Sequence, residues 1–208
     1  MQRIQLDTGN DVTFSAGQYL VARHPDGTEI PLSIASSPHS LPQLELHYRS
    51  TPGDPLAQAF DELLQQQRIS FSVPQGYVQC PETGHLLIIV GGTGASTAFC
   101  LGRYRADIAC KDLTTILWCA DTNEELYETQ ALSQLANTSL TTVVDKRRDD
   151  TNDGLRWLTN NADPKQHRTV VLAGSPGFVY AATDALLALD FSQNQLSSDV
   201  YDYAPRPS

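Results

Sequence analysis

The sequence predicts an antiparallel β-barrel over residues 1–82, followed by a doubly wound, parallel-sheet α/β unit over residues 83–208. Three observations carry that expectation. Up to Pro81 the chain is made of short apolar alternations broken by turn residues, the pattern of small antiparallel strands. From His85 onward apolar strands alternate with helical stretches, the mark of successive βα units. Two of those strands run directly into glycine loops, Gly91-Gly92-Thr93-Gly94 and Gly174-Ser175-Pro176-Gly177.

In the first part, Val12-Thr13-Phe14 reads as a short strand ending at Ala16-Gly17. Gln18 to Ala22 is the next strand, and Pro25-Asp26-Gly27 is a turn by residue type. Pro31 to Ala35 follows. Leu44 to Tyr48 then alternates apolar and polar residues, as a half-buried strand does. One helix interrupts the strands. Asp54-Pro55 supplies an N-cap and a proline at the first helical position, and Leu56, Ala59, Phe60, Leu63 and Leu64 recur at helical spacing. Ile69 to Val73 reads as the last barrel strand, stopped by Pro74-Gln75-Gly76.

In the second part, Leu86 to Val90 is a continuous apolar run, the type buried on both faces of a parallel sheet. Thr97 to Ala109 is expected to be helix, Leu113 to Cys119 strand and Glu124 to Ala136 helix. Ser139 to Val144 and Thr169 to Ala173 are the remaining strands, with a helix over Ala181 to Leu189. Lys146 to Asp153 is charged and polar and reads as a surface loop.

Composition excludes several classes of function. A formal net charge of −10 repels phosphate backbones and argues against nucleic-acid binding, without excluding a local cationic pocket. No apolar run is long enough to span a membrane. The opening residues, Met-Gln-Arg-Ile-Gln-Leu-Asp, lack the apolar stretch of a secretory leader, so a cytoplasmic protein is expected. The cysteines at positions 80, 100, 110 and 119 have neither zinc nor iron–sulfur spacing and read as free thiols; no metal site is expected.

The first glycine loop follows a buried strand and precedes a helix. Glycine lets the backbone turn sharply there and approach a pyrophosphate, and the helix start presents unpaired N–H groups to that anion. The loop is not the G-x-G-x-x-G fingerprint, because Thr97 stands where its last glycine belongs. A tight strand-to-helix turn with no ligand is the plainer reading. The second loop stands at the carboxyl end of another parallel strand, where open sheets bind ligands. Two such loops on one sheet strengthen the case for a nucleotide.

Taken in order, Ala16-Gly17-Gln18-Tyr19-Leu20, Pro31-Leu32-Ser33-Ile34-Ala35-Ser36, Gly91-Gly92-Thr93-Gly94, Trp118, Glu125-Leu126-Tyr127 and Ala173-Gly174 resemble the ferredoxin–NADP reductase superfamily, and within it the NAD(P)H:flavin oxidoreductases. The resemblance implies a six-stranded type of flavin-binding barrel, a nicotinamide nucleotide on the α/β unit, and hydride transfer across the cleft between them. It places Pro31, Leu32, Ser33 and Ser36 at the flavin, with Ser33 near its reactive nitrogen as the catalytic candidate. It places Gly91, Gly92, Thr93, Gly94, Trp118, Gly174, Ser175 and Pro176 on the nucleotide side. The family's barrel segment reads Arg-x-aromatic-Ser-x-x-Ser. Here Ile30 replaces the phosphate-gripping arginine and Leu32 the aromatic ring. Isoleucine cannot pair with phosphate, so FAD, FMN or riboflavin is expected to be held loosely. Family members also carry a barrel strand upstream of the segment that begins here at Met1. Without it the barrel has an open edge, to be covered by a partner or by a chain that starts earlier.

Cofactor choice rests on Asp121, after the strand that contains Trp118. A carboxylate there accepts a hydrogen bond from a free ribose 2′-hydroxyl and repels a 2′-phosphate, which favours NADH over NADPH. Asp121-Thr122-Asn123 as a simple helix cap is an equal reading. His47 reads as a surface or packing histidine. Tyr201-Asp202-Tyr203 either lies beside the flavin or packs on the barrel. The expected function is an NAD(P)H-dependent flavin reductase acting as a monomer or homodimer. The alternatives are a catalytically degenerate nucleotide- or partner-binding subunit of the same fold, and a reductase serving a separate electron-acceptor protein.

Overall fold

The computed structural model describes residues 1–9, 12–66, 69–145 and 153–206. The first part holds four strands: β1 (Gln2–Asp7), β2 (Tyr19–Arg23), β3 (Glu29–Ser33) and β4 (Gln43–Tyr48). β1 pairs antiparallel with β4, with Ile4 opposite Leu46 and Leu6 opposite Leu44. β2 and β3 form a second antiparallel pair, and the bridge between Ile34 and Leu46 joins the two pairs. Residues 69–75 lie along the outer side of β2, through bridges from Phe71 to Ala22 and from Gln75 to Tyr19. Pro74 has no N–H to give, so that pairing stays discontinuous. This is an open antiparallel barrel. Leu20, Ile30, Leu32, Ile34, Leu44 and Leu46 fill it, and the helix α1 (Pro55–Gln66) plugs it with Ala57, Phe60 and Leu63. The Asp54 carboxylate accepts from the Leu56 N–H at 3.0 Å, so the expected cap is formed.

The second part contains β5 (Leu86–Gly91), α2 (Ala95–Asp107), β6 (Thr114–Ala120), α3 (Thr129–Ser133), β7 (Thr138–Val144), α4 (Asp153–Asn161), β8 (Thr169–Ala173), α5 (Pro176–Leu187), β9 (Leu196–Ser197) and α6 (Val200–Tyr203). The sheet is parallel throughout, in the order β7-β6-β5-β8-β9. Alternate residues of β5 serve different cores. Leu86, Ile88 and Val90 pack under α2 with Phe99, Leu101 and Trp118. Leu87 and Ile89 pack under α4 and α5 with Leu158, Val179 and Leu186. A sheet covered on both faces needs such uninterrupted apolar strands. The chain moves outward from β5 through β6 to β7, then crosses back to β8. The carboxyl ends of β5 and β8 therefore border a crevice where successive helices leave on opposite faces.

Three expectations are corrected. β1 is a strand that the sequence pattern did not single out: only Ile4 and Leu6 are even partly buried. Residues 12–15 are not strand. The helix expected over Glu124–Ala136 is broken. A 3₁₀ turn over Asn123–Glu125 is followed by an extended Leu126 and a left-handed Glu128 (φ 49°), and α3 begins only at Thr129. The reason is tertiary: Tyr127 turns inward to pack on Phe99 and Trp118. The loop expected over Lys146–Asp153 lies outside the described residues except for Asp153, which opens α4. Among the described residues no helix is long and apolar enough to cross a membrane.

The two parts meet along α2. Ala16, Ala35 and Val78 from the barrel side enter the core that contains α2. Beside them lies a buried polar network. The Arg103 guanidinium donates to a Glu45 carboxylate oxygen at 2.8 Å and to the Ala35 carbonyl at 3.0 Å. The same carboxylate oxygen lies 2.8 Å from Nε2 of His47, whose Nδ1 is 2.8 Å from the Tyr127 hydroxyl. A neutral imidazole that donates from Nε2 to Glu45 accepts from Tyr127 at Nδ1, so every group in the chain has a partner. His47 is 3% exposed, an internal group linking the two parts and not a surface histidine. Its hydrogen bond, then the Arg103 cation, hold the Glu45 carboxyl down at about 2 against the cost of burial.

Candidate functional site

Two cavities open at the carboxyl ends of the parallel strands, and Thr93 lines both. The glycines on either side of it have different tasks. Gly92 has φ +53°, a left-handed conformation that favours glycine, and a β-carbon there would meet nothing within 4 Å. Gly94 has no such freedom around it. A β-carbon there would run into the Ala173 carbonyl and lie 2.8 Å from the Gly174 nitrogen. One glycine leaves the loop backbone open, and the other lets the start of α2 close against the end of β8.

The larger cavity, about 600 Å³, lies on the α4–α5 face. Its floor is apolar: Ile89, Leu117, Leu158 and Ala182. Its rim carries Gly91, Gly92 and Thr93 from the first glycine loop, Ser175 and Gly177 from the second, and the carboxylates of Asp121, Glu125 and Asp145. Its volume is within the usual range for a small-molecule site. Asp145 takes the N–H groups of Asp153 and Gly154 at 3.1 and 2.9 Å, which caps α4 and tethers that helix to the end of β7. The Asp121 N–H donates to Glu125 at 3.2 Å. Arg49, one residue beyond β4, reaches in from the barrel side and pairs with Glu125 at 2.7 Å. Cys119 also lines the cavity, but burial pushes its thiol up to about 12, so it stays protonated and a poor nucleophile. All four cysteines are unpaired.

The smaller cavity, about 170 Å³, lies between the barrel and the second glycine loop. Tyr19, Pro31, Leu32, Ser33 and His47 line the barrel side. Gly94, Ser96, Thr97, Ala173 and Gly174 line the other, and Asp199, Val200 and Tyr203 close the end. No lysine or arginine lines it among the described residues. Ile30, in the position where the family has its arginine, is 4% exposed and belongs to the barrel core. Asp199 accepts from the Tyr77 N–H at 3.2 Å, yet desolvation raises its carboxyl to about 6.

Sequence reasoning placed Pro31, Leu32, Ser33, Gly94 and Gly174 at a site, and the structure gathers them around the smaller cavity. Gly91, Gly92, Asp121 and Ser175 line the larger one. Three expected residues lie outside both. Ser36 is buried, with its hydroxyl accepting the Glu45 N–H at 3.0 Å. Trp118 is wholly buried under α2, and no partner reaches its Nε1 among the described residues. Pro176 is the first residue of α5 and serves its helix start, beside the Ser175 cap. Arg49, Asp145, His47 and Asp199 also line the cavities and were not expected there. A signal existed for His47 alone: Glu45 and His47 share one face of β4, while Leu44, Leu46 and Tyr48 fill the other.

No family model matches the chain. A reductase component of the terephthalate 1,2-dioxygenase of Comamonas is 26% identical over 223 aligned positions, covering 99% of this chain and 65% of that protein. The NAD(P)H-flavin reductase of Vibrio harveyi is 30% identical over 143 positions, covering 65% of this chain and 60% of that one. The chain thus spans less than two thirds of the length of these curated relatives. Among solved structures, an Amycolatopsis cytochrome P450 reductase superposes with a TM-score of 0.80 at 20% identity, over 95% of this chain and 64% of that one. A Neisseria gonorrhoeae ferredoxin NADP+ reductase, solved with FAD and NADP, gives 0.76 at 15% identity, over 94% and 90%. The barrel, the parallel sheet with its two glycine loops and these relatives agree: the chain has the fold of the ferredoxin–NADP reductases and is similar in sequence to reductases that carry it.

Proposed function

We propose that the protein is an NAD(P)H-dependent oxidoreductase that passes hydride from the nicotinamide to a flavin. Residues 1–82 serve the flavin and residues 83–208 the nucleotide. The observation that carries this reading is the meeting of the two cavities at Thr93. A dinucleotide with its adenosine end on the apolar floor of the larger cavity can pass Gly92 and Thr93 and bring its nicotinamide toward Ser33.

The smaller cavity fits a flavin ring better than a flavin phosphate. Pro31 and Leu32 supply an apolar wall, Ser33 a hydroxyl, and Gly94 and Gly174 let backbone approach closely. Among the described residues the lining offers no cation for a phosphate, which supports a loosely held FAD, FMN or riboflavin. A bound flavin supplies the hydride-accepting ring. The protein's own work is to hold the two rings in register, exclude water from the cleft and donate a hydrogen bond from Ser33, a positioning role more than an acid–base one.

The acidic rim supports NADH over NADPH. Asp121, Glu125 and Asp145 make the larger cavity hostile to an added 2′-phosphate. The relative that is a reductase component of a dioxygenase supports onward delivery to a separate protein acceptor. A second reading, a binding subunit without turnover, draws support from the modest size of the smaller cavity, below the usual range for a ligand site.

Purified protein given NADH with FMN or riboflavin is expected to oxidise the nucleotide, and more slowly with NADPH. Replacing Asp121 by Ala should narrow that gap. Ser33→Ala should lower kcat about tenfold, the equivalent of one lost hydrogen bond, with little change in KM for NADH. Flavin fluorescence that is quenched on binding without any nucleotide oxidation would favour the binding subunit.

A further inference from the structure

We propose that the free edge of β1 pairs with β1 of a second copy of this chain, antiparallel about a twofold axis through Gln5. Two barrels would then share one antiparallel sheet in the order β4-β1-β1-β4. The pairing needs neither flavin nor nucleotide.

The main-chain directions in β4 and β1 identify the free edge. The Ala35 N–H donates to the Glu45 carbonyl at 2.8 Å, so the odd-numbered residues of β4 turn their main-chain groups toward β3. Leu44, Leu46 and Tyr48 therefore turn theirs toward β1, opposite Leu6, Ile4 and Gln2. The Thr8 N–H, which donates to the Pro42 carbonyl at 3.0 Å, continues that even-numbered row. The N–H and C=O groups of Arg3, Gln5 and Asp7 point the other way, to an edge on which no strand lies among the described residues. Sheet edges are commonly guarded by proline, a bulge or an inward-pointing charge. β1 has no proline, runs in unbroken register with β4, and points Ile4 and Leu6 inward.

The strand is complementary to its own reverse. Antiparallel pairing joins outward-facing residues to outward-facing residues, so only registers that match odd positions with odd positions are open. With Gln5 opposite Gln5, Arg3 lies opposite Asp7 at both ends of the pair. Centring the pair on Arg3 or on Asp7 would set like charges together, and centring it on Ile4 or Leu6 would leave a charge facing glutamine. The Gln5 register also sets Ile4 against Leu6 on the barrel face. Both are half-buried in the single chain, and together they extend the apolar row that Leu44 and Leu46 begin. The in-chain contacts of the two charges leave them able to pair. Arg3 meets Glu128 through NH1 at 3.0 Å, Asp7 accepts the Gly9 N–H with Oδ1 at 3.0 Å, and both residues are exposed. A formal charge of −10 on each copy opposes association, so the dimer is a weak one.

The test is sedimentation velocity of the whole protein, without cofactor, from about 1 to 300 µM, where a dimer with Kd of about 10 µM is expected for so small an interface. Arg3→Asp and Asp7→Arg should each weaken it by about 10–30-fold, because each sets like charges opposite one another at both ends of the pair. The double variant Arg3→Asp/Asp7→Arg should return to within about threefold of wild type, since the charges are exchanged but still opposed. Glu128→Gln, which removes only the in-chain partner of Arg3, should stay within about twofold. Amide hydrogen exchange gives a reading that needs no variant. Raising the protein concentration should slow the N–H groups of Arg3, Gln5 and Asp7 and leave those of Ile4 and Leu6, already bonded to β4, unchanged. A protein that stays monomeric throughout, or a dimer that ignores both single changes, overturns the proposal. So does a folded double variant that fails to recover, or a dimer in which the three odd-numbered amides exchange no more slowly.

Discussion

The two cavities on either side of Thr93 are made of opposite materials. The larger one is assembled from loops: strand ends, two glycine turns and the first turns of α4 and α5, with charge on its rim. The smaller one is pressed between two packed bodies, walled by β3, the start of α2 and the segment around Asp199. A cavity made of loop ends can admit a long polar ligand by small adjustments. A cavity made of packed faces is set by backbone contacts and responds to little short of rearrangement. The difference teaches where this molecule keeps its tolerance and where it keeps its geometry, and substitutions at equivalent places on the two sides should expose it.

The largest contrast is between Gly94 and Gly92, two residues apart. Gly94→Ala puts a methyl group into the Ala173 backbone, where neither side can yield without moving α2 or β8. We expect a loss of about 3 kcal/mol or more in urea unfolding, in line with other backbone overpacking. Gly92→Ala meets no neighbour and suffers only its left-handed φ, so about 1 kcal/mol is expected. Equal losses would mean that the close approach of α2 to β8 is not rigid.

Next comes Glu45, which holds the barrel to α2. Glu45→Gln removes the negative charge that Arg103 and His47 share, leaving a neutral amide oxygen as their acceptor. It should cost about 2–3 kcal/mol, somewhat below a fully buried pair because the Arg103 side chain is 26% exposed. The pH dependence gives the sign. The folded carboxyl titrates near 2 and the unfolded one near 4.5, so the stabilisation is complete above 4.5 and is lost as pH falls from there toward 2. In that window the unfolding free energy of Glu45→Gln should change less steeply than that of the wild type. Parallel curves would show that the network is wet and the two parts only loosely joined.

How much of this was legible in the sequence follows the same division. The parallel sheet announced itself, because a strand buried on both faces must be apolar without interruption, and Leu86–Val90 is. The glycine loops followed from position alone. The barrel was less plain. β1 has few apolar residues because one of its faces is exposed, so its alternation is faint. The break at Leu126–Glu128 could not be read at all. Local spacing favours a helix through it, and only the inward turn of Tyr127, toward Phe99 and His47, overrides that preference. Arg49 shares the difficulty: its partner Glu125 is far along the chain, and nothing in the neighbourhood of Arg49 marks it as a cavity residue.

The smallest predicted effect, and the sharpest on the character of the smaller cavity, concerns Asp199. Its carboxylate accepts backbone N–H groups from Tyr77 and Val78, which favour the charged form, yet desolvation wins and the nearby Asp202 adds to it. The folded carboxyl therefore titrates near 6 and the unfolded one near 3.8. Between those values the native state holds a proton that the unfolded chain has given up, so this group's contribution falls as pH rises through the window and is flat above 6. Asp199→Asn should remove that slope, leaving the variant about 1–2 kcal/mol better placed relative to wild type at neutral pH than at the acid end of the window. His85 and His167, with ring centroids 4.2 Å apart and tilted by 53°, are both lowered by burial and lose stability as pH falls below 6.5, the opposite slope, but they do so equally in both proteins and cancel in the difference. If wild type and Asp199→Asn run parallel in unfolding experiments across the window, water reaches Asp199 freely. The smaller cavity would then be as open as the larger, and the contrast between a tight cleft and a yielding one would fail at its most sensitive point.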